Sequence, residues 1–481
     1  ASQAPASSMA LCLSPKGVGR MALHDTALCG SFAARRAARA FGGRQSMRSN
    51  SSTAARPPRW PPDAMGPGRS IPAWHNSCRT SMCGSVEYLT NPIIEDDERT
   101  VTVPRGRFDE LIESEVAYLA SIPVRPVTMG EVLDCLDPRR AAKFIQADVP
   151  KRLALRMRLV DSLAEWRQVP ELVEVRKLLC RWYRSLRLVE RGPDVGLKQF
   201  TEVIRVIRAE GKNTVALAAA GIHKLQAKTG SKYSSEFLDR WLDGFLLSRI
   251  GSNMLLDQYM ACASKEDGGL AKSTGIVNPK TDVLAICRQS SAYASKVCLH
   301  YCGSAPTCIV ENYREDMRGP QPDHPCSFSY IPGFLRYIMI ELLKNSFKAT
   351  VKYADSADDL RHRPVQVLVS CDEAHVAIRV SDRAGGIPSH VGDRIWSYLN
   401  GAAATGEQGS EPATPLSGYG VGLPLSRLHA RYLGGSLDVK TFPGFGTDAW
   451  LMLPRLHKHQ VEAVPPERVD AAALLRELHP H

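Results

Sequence analysis

Four polar residues of the stretch IMIELLKNSFKAT have the types and the spacing that phosphate chemistry needs: Glu341, Lys344, Asn345 and Lys348. Their spacing of i, i+3, i+4 and i+7 places them on one side of a helix. A carboxylate, an amide oxygen and two ammonium groups on one face suit a hydrated Mg²⁺ ion and phosphate oxygens. The alternative for such a stripe is an ordinary solvated helix face, so the interpretation depends on the residues that follow.

Two glycine motifs follow the polar helix. In SDRAGGI, Asp382 lies at the exit of a predicted strand, where its carboxylate can accept a hydrogen bond from an exocyclic amine. Gly385 and Gly386 then let the backbone approach a flat ligand. In SGYGVGLPLSRL, alternating glycines lead into a helix whose N-terminal amides suit phosphate oxygens. The order and spacing of these motifs after the polar helix predict a nucleotide site.

The elements that position these motifs form a mixed α+β layer. Helical patterns cover residues 283–301 and 332–353. Alternating apolar residues predict a hairpin of strands 365–369 and 376–380, and a second hairpin of strands 436–442 and 447–453. We expect helices to cover one face of the resulting sheet.

The preceding region, from residue 108 to residue 260, has helical periodicity throughout. Leu111, Val116 and Leu119 predict the apolar face of a first helix, and Pro150 is predicted to start a second one. Further helices are predicted over 171–188, 200–208 and 233–260. Several amphipathic helices with short joins predict a helical bundle, which is typical of docking and dimerisation platforms.

Composition excludes an integral membrane protein and weakens the case for a nucleic-acid-coating one. No apolar run approaches the ~18 residues that a membrane span needs. The net charge of +11 is concentrated at the N-terminus, where residues 1–60 hold nine basic side chains and one acidic one. The remaining chain carries 52 basic and 49 acidic side chains, a net charge of +3, so a nucleic-acid-coating function loses its main support.

The basic N-terminal segment, residues 1–75, resembles a targeting peptide. It is rich in Ala, Ser, Gly and Arg and poor in acidic residues, and its stretch SFAARRAARAF can form a basic helix. Mitochondrial and plastid transit peptides have this composition. The alternative is a disordered basic tail that carries no address.

Taken together, these motifs resemble the mitochondrial pyruvate dehydrogenase kinase family and its branched-chain 2-oxoacid dehydrogenase kinase relative. The ATP-site half of the resemblance lies in ELLKNSFKAT, VSDRAGG, GYGVGLPLSRLHARYLGG and GFGTDAWL. The helical half lies in RPVTMGEVLD, FIQADVPKRLA and WLDGFLLSRIGSNML, so the resemblance spans about residues 105–456. It implies an N-terminal helical bundle (108–268) and a C-terminal histidine-kinase-like ATPase α/β sandwich (278–456), with a linker at 76–107 and a tail at 457–481.

The resemblance also implies residue roles. Glu341 would be the general base toward a serine hydroxyl, and Asn345 would ligate Mg²⁺. Lys348, where the family usually has Arg, would contact phosphate, while Asp382 with Thr447 would bind the adenine amine. The implied ATP-binding residues are Glu341, Lys344, Asn345, Lys348, Asp382, Gly385, Gly386, Gly418, Tyr419, Gly420, Val421, Gly422, Leu423 and Thr447. A bound K⁺ is implied as well.

Besides Lys348, three further sites depart from the family pattern. Ala384 replaces the first glycine of the D-x-G-x-G turn, and Gly401-Ala402 replaces a Ser-Thr pair at the start of the lid. A family histidine that would hydrogen-bond the base carboxylate falls at Gly211. The glycine at position 211 would leave Glu341 without its usual partner.

Two hypotheses follow from the resemblance. The first is a homodimeric mitochondrial-matrix kinase that phosphorylates and inactivates the decarboxylase subunit of the pyruvate dehydrogenase complex and docks on the lipoyl domain of its acyltransferase. The second is a nucleotide-binding pseudokinase scaffold, which Gly211, Ala384 and Gly401-Ala402 motivate. The sequence leaves the branched-chain complex open as the alternative substrate.

Overall fold

A computed structural model describes residues 104–189, 197–263, 275–313, 327–399 and 420–464. The predicted targeting segment, 1–75, and most of the predicted linker, 76–107, lie outside these ranges. The first part of the described chain is helical, with α1 (Arg105–Ser121), α2 (Met129–Asp134), α3 (Pro138–Asp161), α4 (Pro170–Leu188), α5 (Leu197–Glu210), α6 (Thr214–Thr229) and α7 (Ser235–Ala263).

The helical predictions are confirmed except at two positions. Pro150 does not start a helix: α3 begins at Pro138, and Pro150 is buried inside it. The Asp137 side chain accepts a hydrogen bond from the backbone N–H of Arg140 at 3.0 Å, so this cap and Pro138 supply the start signal. Leu111 was placed on the wrong face, because it is 47% exposed and Ile112 is buried instead.

The second part of the chain is built on β-sheet. A five-stranded mixed sheet has the order β2 (Cys308–Asn312), β4 (Val365–Cys371), β5 (His375–Asp382), β7 (Gly446–Pro454) and β6 (Ser436–Phe442). A separate antiparallel pair joins β1 (Asn278–Asp282) and β3 (Ser327–Tyr330). The helices of this part are α8 (Val283–Cys302), α9 (Pro332–Tyr353), α10 (Ala357–Arg361) and α11 (Gly422–Tyr432).

Both predicted hairpins are confirmed. Strands β4 and β5 pair antiparallel, as do β6 and β7. Val376, Ile378 and Val380 are buried while their neighbours Ala377 and Arg379 are not, which is the period-two pattern of a sheet with one covered face. The prediction did not include β1, β2 and β3; β2 is an edge strand that pairs parallel to β4.

One continuous apolar core joins the helical part to the sheet part, as the predicted α+β class requires. Helix α9 packs on β4 and β5, and α11 packs on α9 and also on α7 of the helical part. Among the described helices, none combines the length and the apolar character needed to span a bilayer. The core therefore holds α9, the end of β5 and the start of α11 in fixed relation.

Candidate active site

Glu341 of α9 has a lysine as its direct partner. Lys344 Nζ lies 2.7 Å from Glu341 Oε1, and the lysine side chain is only 9% exposed. Of the other members of the predicted stripe, Asn345 is exposed and Lys348 is partly buried. The stripe is therefore more than a solvated helix face, because it contains an ion pair that is largely removed from solvent.

Asp382 is the last residue of β5 and is almost fully buried. Its Oδ1 accepts hydrogen bonds from the backbone N–H of Ala384 at 3.2 Å and of Thr447 at 3.3 Å. Burial raises the pKa of Asp382, whereas these bonds and one from the Ser346 hydroxyl act in the opposite direction. Because Ser346 belongs to α9, the predicted adenine contact lies against the helix that carries Glu341.

The turn after β5 requires glycine at two positions. Gly385 and Gly386 have φ values of 75° and 72°, in the left-handed region. A Cβ atom on Gly385 would lie 2.3 Å from the Tyr353 ring, and one on Gly386 would lie 2.4 Å from the carbonyl oxygen of Phe442. At the two predicted glycines, the backbone beside Asp382 thus approaches Tyr353 and Phe442 more closely than any side chain would allow.

We expect Gly386→Ala to lower the melting temperature more than Gly444→Ala does. Both glycines have positive φ (72° and 82°), so alanine incurs a similar backbone cost of roughly 1–2 kcal/mol at either one. A Cβ at Gly444 would meet nothing within 4 Å, whereas at Gly386 it would clash with the carbonyl oxygen of Phe442. Thermal unfolding of the two variants measures the difference, and equal melting temperatures would contradict the steric argument.

The start of α11 meets the Glu341 carboxylate. Gly420 has a φ of 76°, Val421 precedes the helix and is buried, and Gly422 is the first helical residue. A Cβ on Gly422 would lie 2.5 Å from Glu341 Oε2. Leu423 follows in the first turn and is partly buried. Gly418 and Tyr419, the remaining predicted members of this motif, lie outside the described residues.

Gly422→Ala should impair catalysis while leaving stability nearly unchanged. The new methyl group would displace the end of a flexible side chain, the Glu341 carboxylate, and such a displacement costs little free energy of unfolding. Gly333→Ala in α9 is the matched control, because a Cβ there meets nothing within 4 Å. Melting temperature and initial transfer rate should be measured for both variants. A normal rate for Gly422→Ala would show that the carboxylate position is not critical.

Glu341, Asp382 and Gly422 thus converge on one place. Ser346 of α9 connects that helix to Asp382 through a hydrogen bond, and Glu341 of the same helix adjoins Gly422. Thr447, paired with Asp382 across β5 and β7, completes the arrangement. The result is a buried acceptor, a close-approach turn, a helix N-terminus and a carboxylate around one helix, which suits a nucleotide and a reacting hydroxyl.

Comparison with known proteins gives the family. Residues 127–279 match the family model for mitochondrial branched-chain alpha-ketoacid dehydrogenase kinase, and residues 331–457 match that for histidine kinase-, DNA gyrase B- and HSP90-like ATPases. Pyruvate dehydrogenase (acetyl-transferring) kinase isozyme 4 of Homo sapiens, named as mitochondrial, is 30% identical over 367 residues, which cover 74% of this chain and 87% of the relative. The chain belongs to the mitochondrial pyruvate dehydrogenase kinase family.

Other members of the family agree with this assignment. The mitochondrial pyruvate dehydrogenase kinase of Arabidopsis thaliana is 31% identical over 330 residues, covering 66% of this chain and 86% of the relative. Isozyme 1 of Rattus norvegicus is 28% identical over 368 residues, covering 74% and 82%. The matches extend through both parts of the chain, as the predicted resemblance does, and the second family model confirms the histidine-kinase-like ATPase fold.

Two of the departures from the family pattern lie among the described residues. Gly211 begins a short 3-10 turn, and its carbonyl oxygen accepts a hydrogen bond from Arg249 Nη2 at 3.0 Å. Burial raises the pKa of Tyr337, the charge of Glu341 raises it further, and the charge of Arg249 lowers it. The carboxylate and this arginine therefore both act on one tyrosine. The side-chain partner that Glu341 does have is Lys344, at 2.7 Å.

Ala384 replaces the first glycine of the turn pattern without backbone strain. Among the described residues other than glycine, Glu165 alone has a positive φ, so Ala384 adopts an ordinary conformation. Alanine is therefore compatible with the backbone at this position. Gly401-Ala402 lies outside the described residues.

The site offers a divalent metal few protein ligands. Within the described ranges, no group of three or more His, Cys, Asp or Glu side chains is placed to hold a metal ion. Asn345 is exposed beside the Glu341–Lys344 pair and carries an amide oxygen of the kind Mg²⁺ accepts. These residues fit an ion that takes most of its ligands from nucleotide phosphates and water.

Sequence reasoning missed one anchoring residue, Tyr398, in the segment after β5. The backbone N–H of Tyr398 donates to Asp239 Oδ1 at 2.9 Å, and its hydroxyl donates to Asp243 Oδ1 at 2.7 Å. The carbonyl oxygen of Tyr398 lies 3.1 Å from His223 Nε2. The pairing joins the segment after β5 to helices α6 and α7. The i, i+4 spacing of the two aspartates was the available signal, but it is also typical of an exposed helix face.

Proposed function

We propose that the protein transfers the γ-phosphoryl group of ATP to a serine hydroxyl on the decarboxylase subunit of the pyruvate dehydrogenase complex and thereby inactivates that complex. The observation that carries the proposal is the convergence of Glu341, Asp382 and the start of α11 around α9. Membership in a family of pyruvate dehydrogenase kinases supports the same substrate.

In this proposal the nucleotide is bound from two sides. Asp382 accepts a hydrogen bond from the adenine amine, assisted by Thr447, and the backbone at Gly385 and Gly386 lies against the base. The N-terminal amides of α11 face the phosphate oxygens, where the helix dipole favours negative charge. Lys348 adds a positive charge on the α9 side.

Glu341 then accepts the proton of the attacking serine hydroxyl. The serine oxygen forms a bond to the γ-phosphorus, the bond from that phosphorus to the β,γ-bridging oxygen breaks, and ADP leaves. Lys344 holds the carboxylate in place at 2.7 Å. Catalysis in this scheme is mostly positioning and charge neutralisation, which agrees with a site built from several rigid elements.

The bound ions are part of the proposal. Mg²⁺, with Asn345 as its side-chain ligand, would neutralise phosphate charge. We include K⁺ on the strength of the family resemblance. Lys348 and the α11 amides supply the positive charge that the chain itself provides.

The partners and location complete the proposal. We place the protein in the mitochondrial matrix, because its relatives are named mitochondrial and its substrate complex would lie there. The helical part would dock on the lipoyl domain of the acyltransferase. For the proposed homodimer, the outer face of the sheet is the candidate contact surface, because Trp450 and Met452 of β7 are 38% and 40% exposed there.

In the direct test, the purified full chain and MgATP are incubated with the intact pyruvate dehydrogenase complex in one reaction and with the intact branched-chain dehydrogenase complex in another. Labelled phosphate is followed on the decarboxylase subunits together with complex activity. Label on the pyruvate complex with matching inactivation is the expected result. Label on the branched-chain complex alone would overturn the substrate assignment. Nucleotide binding without label on either complex would overturn the kinase and leave a binding scaffold.

A further inference from the structure

A short segment near the C-terminus connects the two parts of the chain. We call residues 457–463 the C-terminal strap. The backbone N–H groups of Met129 and Gly130 donate to the carbonyl oxygens of Gln460 and Lys458, both at 2.8 Å. On its other side, Ala463 N–H donates to the carbonyl oxygen of Tyr432 at 2.8 Å. The strap is thus bonded to the helical part and to the end of α11 at once.

Glu462 is the buried centre of the strap. Its carboxylate is fully enclosed and accepts a hydrogen bond from the backbone N–H of Val127 at 2.8 Å. Arg152 binds it in a bidentate manner, with Nη1 3.0 Å from Oε2 and Nη2 bonded to Oε1. The Tyr432 hydroxyl donates to Oε2. Four donors therefore satisfy one buried carboxylate, which makes a strongly directional junction.

The partners of Glu462 belong to different parts of the fold. Arg152 lies in α3 and also pairs with Asp148 one turn earlier. Gly251 of α7 makes room for the junction, because a Cβ there would lie 2.0 Å from Arg152 Nη1. Tyr432 is the last residue of α11. The carboxylate thus joins the helical bundle to the C-terminal end of the helix whose other end adjoins Glu341.

Helix α11 carries this connection to the proposed site. Its 11 residues span about 16 Å between Tyr432 at the strap and Gly422 at the Glu341 carboxylate. A helix of three turns that is packed on both sides behaves as a rigid rod, so its orientation at one end sets the position of its amides at the other. The hydrogen bonds of the C-terminal strap to Tyr432 therefore influence where the N-terminal amides of α11, at the nucleotide-facing end, are placed.

We infer that Glu462 is a positioning residue that fixes α11 against the helical part through Tyr432 and Arg152 and thereby sets the nucleotide affinity of the site. The inference rests on the proposed function, since it assumes that α11 faces the phosphates. It adds a residue distant from the nucleotide to the determinants of binding.

Three variants of the full chain test the inference. Glu462→Gln keeps the side-chain shape but removes the charge that Arg152 and Tyr432 share. Tyr432→Phe removes the hydroxyl that links Glu462 to α11, with its 3.7 Å contact to Met254 Sδ, and keeps the backbone bond from Ala463. Asp161→Asn is the matched control, because it breaks the Arg176–Asp161 pair, 3.0 Å long, between α3 and α4 and touches no residue of α11. Melting temperature and the dissociation constant of a fluorescent ADP analogue with Mg²⁺ are measured for each.

We expect Glu462→Gln to weaken nucleotide binding about tenfold, the scale of one lost hydrogen bond to a charged group. Tyr432→Phe should weaken it severalfold, and Asp161→Asn should lower the melting temperature without changing affinity. Unchanged affinity in Glu462→Gln, or an equal loss in Asp161→Asn at the same melting temperature, would overturn the positioning role. Normal affinity in Tyr432→Phe beside a loss in Glu462→Gln would overturn the route through α11. Failure of the unmodified protein to bind the analogue would instead count against the proposed function.

Discussion

Glu341→Gln should abolish phosphoryl transfer while leaving ATP affinity nearly intact. The amide keeps an oxygen that can accept from Lys344, at present 2.7 Å from the carboxylate, so the local packing survives. It has no basicity toward a serine hydroxyl, and loss of a general base lowers the rate on the order of 10²- to 10⁴-fold. Single-turnover transfer to the decarboxylase subunit and equilibrium ATP binding should be measured in parallel.

The control for this variant is Glu311→Gln, an exposed residue of the edge strand β2, which removes the same charge two strands away from β5. It should transfer phosphate at the normal rate. If Glu341→Gln loses ATP affinity as much as it loses rate, the carboxylate acts in binding and the general-base assignment is wrong. If the rate is unchanged, another group accepts the proton.

Asp382→Asn should weaken nucleotide binding about 10- to 100-fold, because a hydrogen bond to a charged acceptor contributes roughly 1.5–3 kcal/mol. The backbone bonds from Ala384 and Thr447 can still be accepted by the amide oxygen, so the turn should keep its shape. Asp448→Asn is the matched control, since Asp448 pairs with the preceding residue, Ser381, across the same two strands. Equal affinity in Asp382→Asn and the unmodified protein would contradict the adenine contact.

The pH dependence of the same residue gives a second readout. Burial raises the pKa of Asp382, so lowering the pH through that pKa protonates the carboxyl and should weaken nucleotide binding. Asp382→Asn should remove this dependence. Because the folded-state pKa lies above the ordinary value, the residue's contribution to the free energy of unfolding is present at low pH and is lost as pH rises. The asparagine variant should therefore not melt earlier at neutral pH.

The elements around the site could be predicted because their patterns are local. The alternation through Val376, Ile378 and Val380 specifies a strand with one buried face, and the register of β5 with β7 then brings Asp382 opposite Thr447. The stripe on α9 follows from helical spacing alone. The general-base role of Glu341 came from family resemblance, whereas the place of Asp382 at a strand end already indicated an acceptor for an exocyclic amine.

What the sequence could not predict depends on contacts between distant segments. Strand β2 is short, and its place beside β4 results from a parallel crossover that no local pattern encodes. The ion pair of Lys344 with Glu341 is within one helix, yet spacing permits it without requiring it. Pro150 was misread because proline usually marks a helix start, whereas here α3 tolerates it inside a well-packed bundle.

The Glu462 junction also affects the order in which the chain can fold. The hydrogen bond from the Val127 backbone N–H to the Glu462 carboxylate joins residues that are 335 positions apart in the chain. This is among the largest sequence separations of the described hydrogen bonds. During synthesis, the helical part leaves the ribosome long before Arg152 can meet the Glu462 carboxylate. Until then, the partner available to Arg152 is Asp148, which lies one turn earlier in the same helix. Contacts of such large sequence separation form late and slowly. The bundle therefore reaches its final packing after the ATP-site half has been made, so truncation ahead of residue 462 should yield a chain with a buried arginine short of one counter-charge.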